Sequence, residues 1–120
     1  MTVKEAYEKL GGDYEGILRR VSESMLSRLI GMLLKDTSYA DICAGLGQRN
    51  YELAFRGAHT LKGVAFNLGL TPLGDKASIL TEALRDRQDN QMVQPAFAAL
   101  EQAYWEMHTT FTDVLSSSVS

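Results

Sequence analysis

The sequence predicts an all-α protein, an antiparallel (up-down) four-helix bundle with a short extra helix at its N-terminus. Three observations carry that reading. Apolar residues recur every three or four positions along almost the whole chain. No stretch alternates with period two, and no Asn-Gly hairpin turn is present. The breaks between periodic stretches are short, so successive helices should be antiparallel neighbours.

The first helix is short, Val3 to Leu10, and ends at the Gly11-Gly12 breaker. Asp13 follows as an N-cap. Ile17, Leu18, Val21, Met25, Leu29 and Met32 then form an amphipathic stripe. Gly16, Ser22 and Gly31 weaken it, which predicts two helices or one with a bend. Lys35-Asp36-Thr37-Ser38 is a polar break, and Tyr39, Ile42, Cys43 and Leu46 predict a short helix. Asn50 caps the next helix, whose buried stripe is Tyr51, Ala54, Ala58, Leu61, Ala65 and Leu68, with Gly69 as its stop. Thr71 is read as the following N-cap, with Pro72 at the first helical position and Leu73, Ala77, Leu80 and Leu84 facing inward. Asp89-Asn90 ends that helix. Val93, Phe97, Leu100, Tyr104, Met107 and Phe111 mark the last one, where Pro95 predicts a kink or a later start. Residues 1–115 form a single domain on this reading, and 116–120 a frayed, serine-rich tail. Met25, Met32 and Met107 are read as core filler, and Asp13, Asp36 and Asp41 as caps or solvated groups.

Composition narrows the function. Twelve basic residues against fifteen acidic ones give a formal net charge of −3, which argues against a nucleic-acid binder. The longest apolar run is too short to span a bilayer. A single cysteine, Cys43, excludes an internal disulfide, and no Cys/His cluster points to zinc. With no signal peptide, the expected setting is cytoplasmic.

The helix after Asn50 has a second stripe, Glu52, Phe55, Arg56, His59, Lys62, Gly63 and Phe66, on the face its core stripe leaves over. His59 should therefore stand outside the core or at its edge. Arg56 precedes it by three and Lys62 follows by three. Two cations flanking an exposed imidazole suit a dianion on that ring, such as a phosphoryl group. Gly63 breaks helix propensity at a cost of about 0.5–1 kcal/mol. One turn from a candidate nucleophile, the glycine is read as steric access, because a side chain there should crowd the ring. His108 borders the Tyr104–Met107–Phe111 stripe and is read as structural.

Ala58-His59-Thr60-Leu61-Lys62-Gly63, followed by Gly69, resembles the signature of histidine phosphotransfer (HPt) domains of bacterial two-component phosphorelays: His-x-Leu-Lys-Gly with a glycine ten residues after the histidine. Tyr7 to Asp13 resembles the usual N-terminal segment of that family, and Asn67 to Arg85 its next helix. The segment from Lys35 to Gly47 is the least typical. Val64 stands where many members carry a small residue such as serine.

The resemblance implies that His59 accepts a phosphoryl group from a receiver-domain aspartate, or from a kinase, and passes it to another receiver aspartate. Lys62 would hold the phosphate, with Arg56 and Arg85 as further phosphate-stabilising cations. Counting outward from the helix hairpin near Leu70 puts Thr81 opposite His59, and in the family this position often orients the imidazole. Thr81, with Ser78 one turn earlier, is the expectation here. Phe55 and Phe66 are the expected docking residues for the partner, with partial burial against another helix as the alternative for both.

No Gly-rich nucleotide loop or acidic metal cluster is present, so the expected protein is a monomeric carrier, not an enzyme with its own ATP site. It should need no cofactor or metal of its own, with Mg2+ supplied by the partner receiver domain. Its partners should be response-regulator receiver domains and a sensor histidine kinase. Two other readings stand beside this one: a helical adaptor that is never phosphorylated, and an HPt domain belonging to a CheA-like or hybrid histidine kinase.

Overall fold

The computed structural model describes residues 1–117 and contains no strand among them. In chain order the helices are α1 (Val3–Leu10), α2 (Tyr14–Leu18), α3 (Glu23–Leu34), α4 (Ser38–Gly47), α5 (Tyr51–Asn67), α6 (Thr71–Ala83) and α7 (Val93–Ser117). None of them is long and apolar enough to cross a membrane.

Local chemistry sets most of the starts. The Thr2 hydroxyl accepts from the Glu5 N–H at 3.1 Å while the Glu5 carboxylate accepts from the Thr2 N–H at 2.9 Å, a reciprocal cap on α1. Asp13, Ser22 and Asn50 cap α2, α3 and α5 through the N–H groups of Gly16, Met25 and Leu53. Gly11 and Gly69, at φ 72° and 70°, take the left-handed conformation that lets the chain leave α1 and α5 without strain.

Four expectations need correction. Thr71 is the first residue of α6, not its cap; Leu70 takes that place and makes no side-chain cap. Helix α7 begins at Val93, ahead of Pro95, whose missing N–H falls among first-turn donors that have no intrahelical acceptor anyway. That helix runs through residues 116 and 117; residues 118–120 of the expected tail lie outside the described residues. Met25 and Met32 are exposed, and Leu26, Ile30 and Leu33 take the core side of α3. The helix restarts at the Ser22 cap, so the phase set by Ile17 and Leu18 does not carry through.

Helices α3 and α4 act as one broken rod running antiparallel to α5. Leu29 and Leu33 border Val64 and Leu68 in one groove, and Asp36 and Ser38 reach the level of Thr60 and Gly57. At the far end, Gly45 meets Asn50 and Ala54. With α5, α6 and α7 this rod makes the four-rod bundle. The core is built from Leu26, Ile30, Leu33, Ile42, Leu61, Leu80, Leu84, Leu100, Met107 and Phe111, all at or near zero exposure. Each such side chain contributes about 1.5–3 kcal/mol by leaving water.

The N-terminal segment fixes the end of α5. The Tyr7 ring tilts on Phe111 with centroids 5.7 Å apart, and its hydroxyl donates to the Leu68 carbonyl at 2.6 Å. The Asp13 N–H donates to the Gly69 carbonyl at 2.8 Å. The α5–α6 hairpin is thereby tied to the base of the bundle, which sets the height of the residues along α5.

Candidate functional site

On α5 the small and apolar residues Ala54, Gly57, Ala58, Leu61 and Ala65 are buried, while Glu52, Arg56, His59, Thr60, Gly63 and Phe66 face outward. His59 thus stands at the middle of the helix on its solvent face. Long side chains on a helix lean toward its N-terminus. The His59 ring accordingly lies near Phe55, one turn earlier, with centroids 6.1 Å apart and planes tilted by 34°. Among the described residues, no hydrogen bond reaches either ring nitrogen. On the other side is Gly63, where an added Cβ would meet nothing within 4 Å. A methyl there would not crowd the ring, contrary to the expectation, because the ring leans away from it. The open space lies on the C-terminal side of the imidazole.

A belt of charge lies around Phe55, the ring beside His59. Glu52 accepts from Arg87 at 3.0 Å and pairs with Arg56 at 3.6 Å. The Arg87 guanidinium lies 3.7 Å from the centroid of the Phe55 ring, a close cation–π contact. It also donates to the Arg85 carbonyl. Arg87 sits at φ 53°, and this left-handed backbone follows the end of α6. Arg85 pairs with Glu82, its Nε donating at 2.9 Å, and its own guanidinium is 6.0 Å from the Phe55 ring. The hydrogen bond from Arg85 holds the Glu82 carboxyl below its ordinary value, with the charges of Arg85 and Lys62 adding to it against a smaller desolvation effect. Lys62 is half-buried, one turn after His59 on α5.

The structure rearranges the roles expected around His59. Phe55 is only 8% exposed, beneath Arg87 and beside His59, so it is a floor for the site and not a docking surface. Phe66 is 41% exposed, but one edge is seated on Gly74, where a Cβ would fall 2.6 Å from the ring. Thr81 is fully buried and donates its hydroxyl to the Ala77 carbonyl at 2.7 Å, so it does not orient the imidazole. Ser78 is half-buried and makes no hydrogen bond to His59. Counting from the hairpin gives the height of a residue on α6 but not its rotation. Thr81 shares the inward side with Ala77, Leu80 and Leu84, and Glu82 and Arg85 take the outward one.

Sequence reasoning missed Arg87 and the two carboxylates that organise the cations. The Glu52–Arg56 pair was visible in its i, i+4 spacing of opposite charges. Arg87 lies beyond the end of α6 and is brought back over α5 by its turn, for which periodicity holds no signal. An open apolar groove, lined by Leu29, Met32, Leu33, Val64 and Leu68 with Asp36 and Asn67, runs between α3 and α5 beyond Gly63. Met32 is 66% exposed at its edge. The other histidine, His108, is half-buried against Tyr104 and Trp105. Among the described residues, no group of His, Cys, Asp and Glu side chains could hold a metal ion.

A family model described as the Hpt domain matches residues 25–111 of the 120-residue chain, a span that holds His59 and every side chain of the charged belt. Comparison with curated proteins and with solved structures finds no match.

Proposed function

Because the chain belongs to the Hpt domain family, we propose that His59 takes a phosphoryl group from the aspartyl phosphate of one receiver domain and delivers it to the aspartate of another. Hpt domains are the histidine carriers of two-component phosphorelays, where they meet receiver domains and kinases. The observation that carries the residue assignment is the exposed imidazole of His59 at mid-helix, flanked by Arg56 and Lys62 and open on its Gly63 side.

In the loading step the unprotonated Nε2 of His59 attacks phosphorus. An N–P bond forms, the O–P bond to the donor aspartate breaks, and the carboxylate leaves with the electron pair. The Nδ1 proton stays on the ring throughout, with water or the partner as its acceptor, since Thr81 is turned inward. Unloading reverses these events on the second receiver. The receiver's Mg2+ neutralises most of the charge that develops on the phosphoryl oxygens. Lys62 contributes from one turn after His59 on the same helix, and Arg56 and Arg85 are the further cations within the belt.

Docking uses what the fold leaves apolar and exposed near His59: Phe66 on one flank and the Met32–Val64 groove on the other. Phe55 supports the site from below. A carrier must release each partner, so the contact should be small and transient. One copy of the bundle completes its own core, which suits a monomer.

The test is transfer from a panel of labelled, phosphorylated receiver domains, with His59→Gln in parallel, followed by chase with a second unlabelled receiver. The expected result is an acid-labile, base-stable label on the wild-type protein that leaves during the chase and never enters His59→Gln. Labelling of both proteins would place the acceptor elsewhere. Labelling of neither across a broad panel would favour an adaptor that retains the motif without its chemistry.

A further inference from the structure

Among the charged groups around His59, the most connected is an acid. Glu52 lies seven residues before His59, two turns down the same face of α5. Its carboxylate bridges two guanidinium groups from different parts of the chain, Arg56 on α5 and Arg87 beyond α6. Arg87 has two other holds, the Phe55 ring at 3.7 Å and the Arg85 carbonyl, so it remains beside the site if the carboxylate lets go. The Phe55 ring is the shared neighbour of Arg87 and His59.

We infer that Glu52 is an internal competitor for the phosphoryl group: it occupies Arg87 and Arg56 while His59 is bare and yields them when His59 is phosphorylated. This rests on His59 being the phosphoryl acceptor. A phosphoryl group carries more negative charge than a carboxylate and offers three acceptor oxygens, so it wins the exchange once present. The exchange is accessible because the pairs are exposed, with half of the Glu52 side chain and two-fifths of the Arg87 side chain in solvent. Breaking the old pairs offsets part of what the new ones contribute. Glu52 therefore makes phosphohistidine easier to unload than the same cations alone would. Arg87 becomes a phosphate-side residue, and Glu52 a positioning residue that sets how firmly the group is held.

The consequence can be read in the lifetime of phosphohistidine. Its N–P bond is acid-labile, and cations that keep the phosphoryl group dianionic slow its loss. The wild-type protein, Glu52→Gln, Arg87→Gln and the double variant are each loaded with phosphoramidate. In that reaction the donor's own P–N bond breaks, an N–P bond to His59 forms, and ammonia leaves. The decay is followed by phosphorus NMR, with matched thermal melts showing that each variant is folded.

Glu52→Gln should lengthen the half-life about two- to fivefold, the range open to exposed ion pairs. Arg87→Gln should shorten it, and in that background the effect of Glu52→Gln should shrink to what Arg56 alone supplies. All the differences should narrow in high salt. A labelled His59 whose half-life is unchanged or shortened by Glu52→Gln would overturn this inference alone. Failure of wild-type His59 to take the label would overturn it together with the function it rests on.

Discussion

Two glycines on α5, six residues apart, meet opposite surroundings. An added Cβ at Gly57 would fall 2.7 Å from the Ser38 carbonyl oxygen and 2.9 Å from Cγ1 of Ile42. At Gly63 it would meet nothing within 4 Å. Both residues weaken the helix by about the same 0.5–1 kcal/mol relative to alanine. At Gly57 the reason is inside the molecule: α4 and α5 approach until backbone touches side chain. Gly45 repeats the arrangement one level lower, where a Cβ would lie 2.6 Å from the Ala54 nitrogen. At Gly63 no described residue comes within 4 Å of the added Cβ, and on the proposed function that space serves whatever approaches His59. The face of α5 toward α4 is closed by contact, and the face bearing His59 is kept open.

The largest expected effect breaks the closed face. Gly45→Ala and Gly57→Ala force a methyl against backbone that cannot yield without separating α4 from α5. Each should destabilise the fold by about 1–3 kcal/mol, measured by denaturant melts. Gly63→Ala should do the reverse, stabilising by about 0.5–1 kcal/mol in the same melts, because only helix propensity changes. It should also slow transfer from a receiver domain by on the order of tenfold, since a methyl on the open side displaces the partner from its reacting position. Loading by phosphoramidate should fall less. Equal loss with both donors would mean that Gly63 serves the ring itself and not the partner.

Smaller effects sharpen the same contrast on α6. Thr81→Val removes a buried hydroxyl bonded to its own helix, at a cost of about 0.5–1.5 kcal/mol. Transfer to His59 should change less than about twofold, whereas an imidazole-orienting role would give a much larger loss. The smallest effect is electrostatic. The Glu82 carboxyl is held below its ordinary value by Arg85, so its pairing stabilises the fold above the usual carboxylate range. That contribution disappears as the pH falls through the lowered value. Glu82→Gln should therefore flatten the acid side of a plot of Tm against pH slightly, because both partners are exposed.

These contrasts show what the sequence carried. The buried stripe of α5 from Ala54 to Leu68 and the exposure of His59 follow from the 3.6-residue period and stand in the structure, while Tyr51 at the start of the stripe is only half-buried. The helical class and the caps at Asp13 and Asn50 were legible for the same local reasons. Properties set by rotation or by distant backbone were not. Met25 and Met32 were misplaced because α3 restarts its phase at Ser22. Thr81 was misplaced because hairpin symmetry fixes height and not facing. Phe55 sits on the exposed stripe by spacing, yet Arg87 covers it from a left-handed turn thirty-two residues later. The open face is legible as a missing side chain at Gly63, and the charged belt beside it only as three-dimensional contacts.

The most direct measurement is the position of the phosphoryl group itself. The protein would be loaded from a phosphorylated receiver domain and digested under alkaline conditions, and the labelled peptide located by mass spectrometry. The expected result is a single base-stable, acid-labile modification on the peptide carrying His59, lost in His59→Gln. A modification confined to another residue, with His59 bare, would contradict it.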